Sequence, residues 1–260
     1  MKYSLLFRTD ALIIASILFI VMIIMVRLGM VVSKMRKDTD LSIRDGIGSL
    51  RGAVFGLFAF ILAFCFNMSG NRYDLIRKIF IEESNHISTA VHRSDLYSDS
   101  LRTAFRADFR EYLEARINLY SNLRDIPGYL KKLENMNKIY KRIWHRTTEE
   151  SKKPNMLIPS NNMITALTNM NDTANTREVM LRTSVPDVII YTLLILALLS
   201  SFTAGVTSSN LKFREWVIII CFAFFTSLVI YMTLDLGRPM RGIIKADRSQ
   251  QAIVDLRRMF

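Results

Sequence analysis

The sequence predicts an all-α integral membrane protein, with four transmembrane helices and a cytoplasmic helical insert between spans two and three. Three observations predict it. Apolar residues make up 50% of the 260-residue chain and gather into four runs, each close to the roughly 20 residues that carry a helix across about 30 Å of hydrocarbon. Between the second and third runs, apolar positions recur at three- and four-residue spacing, the helical period. Basic residues flank nearly every run, and their bias puts both termini and the insert on the cytoplasmic side. The expected organisation is residues 1–70 as membrane helices one and two, 71–185 as the cytoplasmic helical domain, 186–236 as membrane helices three and four, and 237–260 as a cytoplasmic tail with a short amphipathic helix.

The first run covers about Ala11–Val26 and extends to Val32. It is too long for a secretory h-region and lacks a small-x-small cleavage site, so it reads as a retained anchor. Arg27 interrupts it near its end, where a long side chain snorkels to the headgroups. The second run, about Gly52–Ser69, lies inside a proline-free stretch from Gly48 to Arg93. That stretch predicts one unbroken helix that crosses the bilayer and continues beyond it. At 100° per residue, Gly48, Gly52, Gly56, Ala59 and Ala63 share a narrow face, the small-xxx-small spacing that lets membrane helices approach closely. An adjacent face carries Phe60, Phe64, Asn67 and Asn71. Two rings followed by two amides are the candidate lining of a conduit with an aromatic constriction, since apolar rings gate pores by dewetting and lipid-facing amides are costly. The same rings also suit plain packing or lipid contact.

The insert reads as a series of helices. Leu75, Ile76, Ile79, Phe80, Ile87, Ala90 and Val91 mark one buried stripe, and Phe105, Phe109, Tyr112, Leu113, Ile117 and Tyr120 another. Arg102, Arg106, Arg110, Glu111, Glu114 and Arg116 are assigned to the solvated face of that second helix. Pro127-Gly128 is expected to break the chain before a helix over Tyr129–His145, with a loop over Thr147–Ser160 and a further helix over Asn161–Thr183. The third span, Pro186–Val206, starts with proline and Asp187, a pairing that suits a helix N-terminus. The fourth, Glu215–Leu234, closes at Asp235-Leu-Gly-Arg-Pro239. Ile253, Leu256 and Phe260 give the tail an apolar side.

The net charge of +12 is explained by attraction to anionic headgroups, and no basic groove with interleaved aromatics suggests nucleic acid. Cys65 and Cys221 both fall inside spans and read as packing residues. Arg72, Asp74, Arg77, Glu82 and Glu83 leave the membrane on the same side as Asp235, Arg238 and Arg241, so an interfacial ion-pair network is expected between the two sets. Glu83 and His86 have the i, i+3 spacing of half a di-iron ligand set, but a second such pair is missing and no metal is expected. No nucleophile elbow, P-loop, dinucleotide fingerprint or HExxH stands in the chain, so neither an enzyme nor a cofactor is expected.

Three blocks together resemble the bestrophin-like domain family of prokaryotic membrane proteins. They are GLFAFILAFCFNMSGNRYDLIRKIFIEESNHISTA (56–90), Arg110-Glu-Tyr-Leu-Glu-Ala-Arg116, and LDLGRPMRGIIKADRSQQAIVDLR (234–257). Asn85-His86-Ile87 departs from the family pattern, where a small residue is more typical, and the loop between spans three and four is short. The resemblance implies kinship with bestrophins, pentameric and mainly anion-conducting channels whose second span lines a pore narrowed by apolar rings. Phe60 and Phe64 match that neck by helix and by four-residue step, whereas no acidic calcium clasp is found. The implied function is a homo-oligomeric membrane ion channel whose partners are the lipid bilayer, inorganic ions and further copies of the chain. Pentamer is the family analogy, and tetramer and dimer are equally open from the residues alone. The alternative is a membrane scaffold or sensor whose cytoplasmic helical domain binds a protein partner.

Overall fold

The computed structural model describes residues 9–35, 41–119, 126–183, 185–207, 213–237 and 247–260, with backbone alone at 41–47, 126, 182 and 247–250. Every regular element among them is helical: α1 (Ala11–Met35), α2 (Leu41–Arg93), a 3₁₀ turn (Ser94–Leu96), α3 (Asp99–Leu119), α4 (Ile126–Ser151), α5 (Leu157–Arg182), α6 (Asp187–Val206), α7 (Phe213–Leu236), α8 (Asp247–Asp255) and a closing 3₁₀ turn (Leu256–Met259). They form two compact units, one of residues 1–73 and 183–244, the other of 74–182 and 245–260. The 53 residues of α2 run as one helix with no break at Gly70.

In the first unit, four helices are long and apolar enough to cross a membrane. Their core is built from Leu18 and Met22 of α1, Phe58 and Cys65 of α2, Leu193 and Ala197 of α6, and Ala223 and Ile230 of α7. The tightest approach joins α1 to α6. A methyl added at Gly205 would overlap the Val26 carbonyl, and one at Gly29 would meet the Phe202 carbonyl and sit 2.8 Å from the Val206 nitrogen. Backbones that close admit no side chain, which is the physical reason for glycine at both positions. Three hydroxyls in α6 and α7 are satisfied within their own helices: Thr192 donates to the Val188 carbonyl (2.9 Å), Ser201 to Ala197 (3.0 Å) and Thr233 to Val229 (2.8 Å).

In the second unit, Ile76, Ile79, Phe80 and Ile87 of α2 are buried with Phe105, Phe109 and Leu113 of α3, Ile139 and Ile143 of α4, and Met163, Leu167 and Met170 of α5. Two boundaries differ from the expectation. Pro127-Gly128 opens α4 instead of breaking the chain, because proline in a first turn forfeits only an amide that had no helical acceptor. The loop expected over Thr147–Ser160 is shorter, since α4 continues to Ser151 and α5 begins at Leu157 with Pro159 in its first turn. Asn155 makes the turn between them in the left-handed region (φ 64°). The C-terminal segment packs on the same unit: Ile253 is buried, Ser84 donates to the Ala252 carbonyl (2.9 Å), and Arg257 grips Glu114 through two 2.7 Å bonds.

Candidate functional site

The apolar part of α2 has two unlike sides. Phe58, Cys65 and Ser69 are buried, and Phe55 and Phe58 meet the Phe222 ring at 5.3 and 6.4 Å. On the other side every predicted residue is exposed: Gly48, Gly52, Gly56, Ala59 and Ala63, with Phe60 (67%), Phe64 (54%), Asn67 and Asn71. Among the described residues, nothing lies within 4 Å of a side chain built on Gly48, Gly52 or Gly56, so the small face meets none of them, and Gly29 and Gly205 make the internal close approach instead. Asn71 donates to the Asn67 side-chain oxygen at 2.6 Å, a short amide ladder along the exposed side. Only 11% of the apolar window of α2 is buried, against 28, 39 and 33% in the other three spanning helices.

The charged residues around the span ends separate into distinct arrangements. Arg72 donates to the hydroxyl of Thr183 at 3.2 Å and also to its carbonyl. Asp74 and Arg77 form an exposed pair at 3.6 Å. Glu82 is exposed and Asp235 is buried. Arg238 and Arg241, expected to join the α2 set, lie outside the described residues. Glu83 is fully buried within the second unit, and its partners are Arg116 and Arg177.

That cluster is the main feature missed in the sequence. Arg116, assigned above to a solvated face, is 1% exposed, as is Arg177. Arg116 donates through Nε to one Glu83 oxygen, and Arg177 donates through Nη1 to the other at 2.6 Å. Arg116 also reaches the Ala174 carbonyl (3.4 Å) and the Met136 sulfur (3.6 Å), and the Arg177 guanidinium lies 3.7 Å from the centre of the Phe80 ring. Burial pushes the Glu83 carboxyl up, but the two guanidiniums outweigh it and hold the group below the ordinary carboxylate range. Burial pushes the neighbouring Tyr112 phenol up to about 12, so it stays neutral beside the cluster.

A signal for this site was present. Ile76, Ile79, Glu83 and Ile87 follow one helical stripe, as do Phe105, Phe109, Tyr112 and Arg116, and Met163, Met170, Ala174 and Arg177. Three core stripes are each interrupted by a charge, and the signs compensate in part. His86, one turn on, has its Nδ1 2.8 Å from the Thr173 hydroxyl. Glu83 and His86 thus have separate protein partners, and no group of three metal-ligating side chains stands together among the described residues.

The profile of the Bestrophin-like domain matches residues 14–251. No curated protein matches the chain. Two crystal structures of a bacterial Bestrophin homolog from Klebsiella pneumoniae are similar in fold. One, carrying an isoleucine-to-threonine mutation, gives a TM-score of 0.63 at 11% identity over 93% of this chain and 99% of that one. The other, phased from zinc, gives 0.62 at 12% identity over 92% and 97%. With four apolar helices long enough to span and a family match over most of its length, this chain is an integral membrane protein that belongs to the Bestrophin-like domain family.

Proposed function

We propose that the protein is an oligomeric membrane ion channel of bestrophin type, with span two lining the conduit. The observation that carries this reading is the open side of α2: rings, amides and small residues are exposed together on the least covered of the four spanning helices. A lone copy would leave the Asn67 and Asn71 amides at the edge of lipid, where unsatisfied polar groups are expensive. Other copies, arranged as a closed ring, remove that cost. Gly48, Gly52, Gly56, Ala59 and Ala63 then accept the neighbouring helix. Phe60 and Phe64 form the aromatic constriction, with Asn67 and Asn71 at its polar mouth. Family analogy favours a pentamer. Family analogy favours an inner-membrane location, and the charge bias of the flanks supports cytoplasmic termini and insert.

Purified protein in planar bilayers should conduct, and Phe60→Ala should raise the conductance. Silent bilayers across a range of ions and voltages would sink the reading. A second reading, a scaffold or sensor that docks a cytoplasmic protein, is favoured by one observation: Leu157 and Ile158 at the start of α5 are 68% and 76% exposed. It predicts a sealed axis and no current.

A further inference from the structure

A second set of basic residues lies at the end of the membrane unit where α1 and α6 touch through Gly29 and Gly205. Two residues beyond Gly205, Thr207 accepts a 2.7 Å bond from Arg51 Nη1. The Thr207 hydroxyl is itself spent on the Thr203 and Ala204 carbonyls (3.2 and 3.1 Å), so its lone pair is aimed at the arginine. The Arg51 guanidinium also sits 5.5 Å from the Phe55 ring, which packs on Phe222. Arg27, two residues before Gly29, lies 5.4 Å from the Trp216 ring. Both cations are therefore positioned by neutral groups. Among the described residues neither has an ion-pair partner within 4 Å.

A guanidinium held by neutral groups at a membrane boundary attracts an oxyanion. The surroundings indicate which kind. Leu28 (50%) and Val31 (54%) follow Arg27 along α1, and Phe213 (83%) and Ile218 (68%) flank Trp216 along α7; all four are exposed, an apolar apron that a hydrated inorganic ion does not use. Trp216 supplies the amphipathic ring typical of the headgroup layer. We propose that this end of the membrane unit is a binding site for an anionic phospholipid. Arg51 takes the headgroup phosphate, Thr207 holds Arg51 in place, Arg27 adds to the field, and the acyl chains cover the apron. The site is independent of whether the protein conducts.

The test uses delipidated full-length protein offered equal amounts of phosphatidylglycerol and phosphatidylcholine with matched chains, counted by native mass spectrometry. Wild type should retain phosphatidylglycerol preferentially. Arg51→Gln should lower that preference about fivefold, the weight of one interfacial arginine. Thr207→Val, which keeps the charge and loses its positioning, should lower it less, and Arg51→Lys should keep most of it. Arg27→Gln, at an exposed position, gives a variant that does not depend on the Arg51 contacts for folding and should also weaken retention. An unchanged preference in both Arg51→Gln and Arg27→Gln overturns the proposal. Displacement of the lipid by millimolar inorganic phosphate overturns the lipid assignment in favour of a free oxyanion.

Discussion

The two units each have an apolar core and differ in their surfaces and in the polar groups they bury. In the membrane unit the surface is apolar, with Ile13, Ile195 and Phe225 all more than half exposed, while Ser200, Ser201, Thr226, Ser227 and two touching glycines are inside. In the helical unit the large apolar side chains are inside, and with them a carboxylate and two guanidiniums. The difference teaches that burial is no guide to role unless the solvent is specified. Against lipid, association gains little from apolar contact and relies on close backbone packing. Against water, apolar burial dominates, and a charge survives inside only when it is paired.

The largest effect should come from breaking the buried pairings. Glu83→Ala leaves Arg116 and Arg177 without their carboxylate, a change that costs about 3–5 kcal/mol in comparable buried pairs. Chemical denaturation followed by circular dichroism should show the helical unit unfolding early. Arg177→Met should cost less, because it leaves a one-to-one pair. A smaller loss for Glu83→Ala than for Arg177→Met would refute this account of the cluster.

Next in size is Gly205→Ala, which forces α1 and α6 apart and should cost about 1–3 kcal/mol, as overpacking typically does. Gly52→Ala, on the open side of α2, should leave the thermal stability of a dissociated subunit unchanged while weakening the oligomer. Equal effects of the two alanines on a dissociated subunit would erase the distinction between internal and external small faces.

Acid should act on the helical unit before the membrane unit. The Glu83 carboxyl titrates below its unfolded value, so its contribution is complete above the ordinary carboxylate pKa and is lost as pH falls through the lowered one. Glu114 behaves the same way on a smaller scale, held down first by its bond from Arg257. Arg257→Gln should therefore change global stability by about 1 kcal/mol or less, the range of an exposed pair, while loosening the tail. Limited proteolysis near the C-terminus at neutral pH would detect the loosening.

Much of the fold was legible because membrane spans are written in composition. The runs at Ala11, Gly52, Pro186 and Glu215 each lie in a helix long and apolar enough to cross a membrane, and the proline-free stretch from Gly48 to Arg93 lies within the single helix α2. The candidate conduit residues were grouped by angle alone, and all four are exposed on α2. The pairing of Glu83 was harder to see, because a charge in an apolar stripe has the local pattern of a surface residue until its partner is known. Arg116 was read from its charged neighbours Arg110 and Glu114 when its phase with Phe109 and Tyr112 was the better guide. Gly29 and Gly205 stand 176 positions apart, each a single glycine with no spacing to mark it.

The hydroxyls of Thr192, Ser201 and Thr233 bear on how the protein is made. Each returns its proton to a carbonyl one turn earlier in the same helix, so these groups enter hydrocarbon already satisfied and need no neighbour to shield them. Ser227 differs: its hydroxyl is aimed at the Met22 sulfur of α1 (4.0 Å), so the fourth span carries one polar group that is answered only once α1 lies beside it.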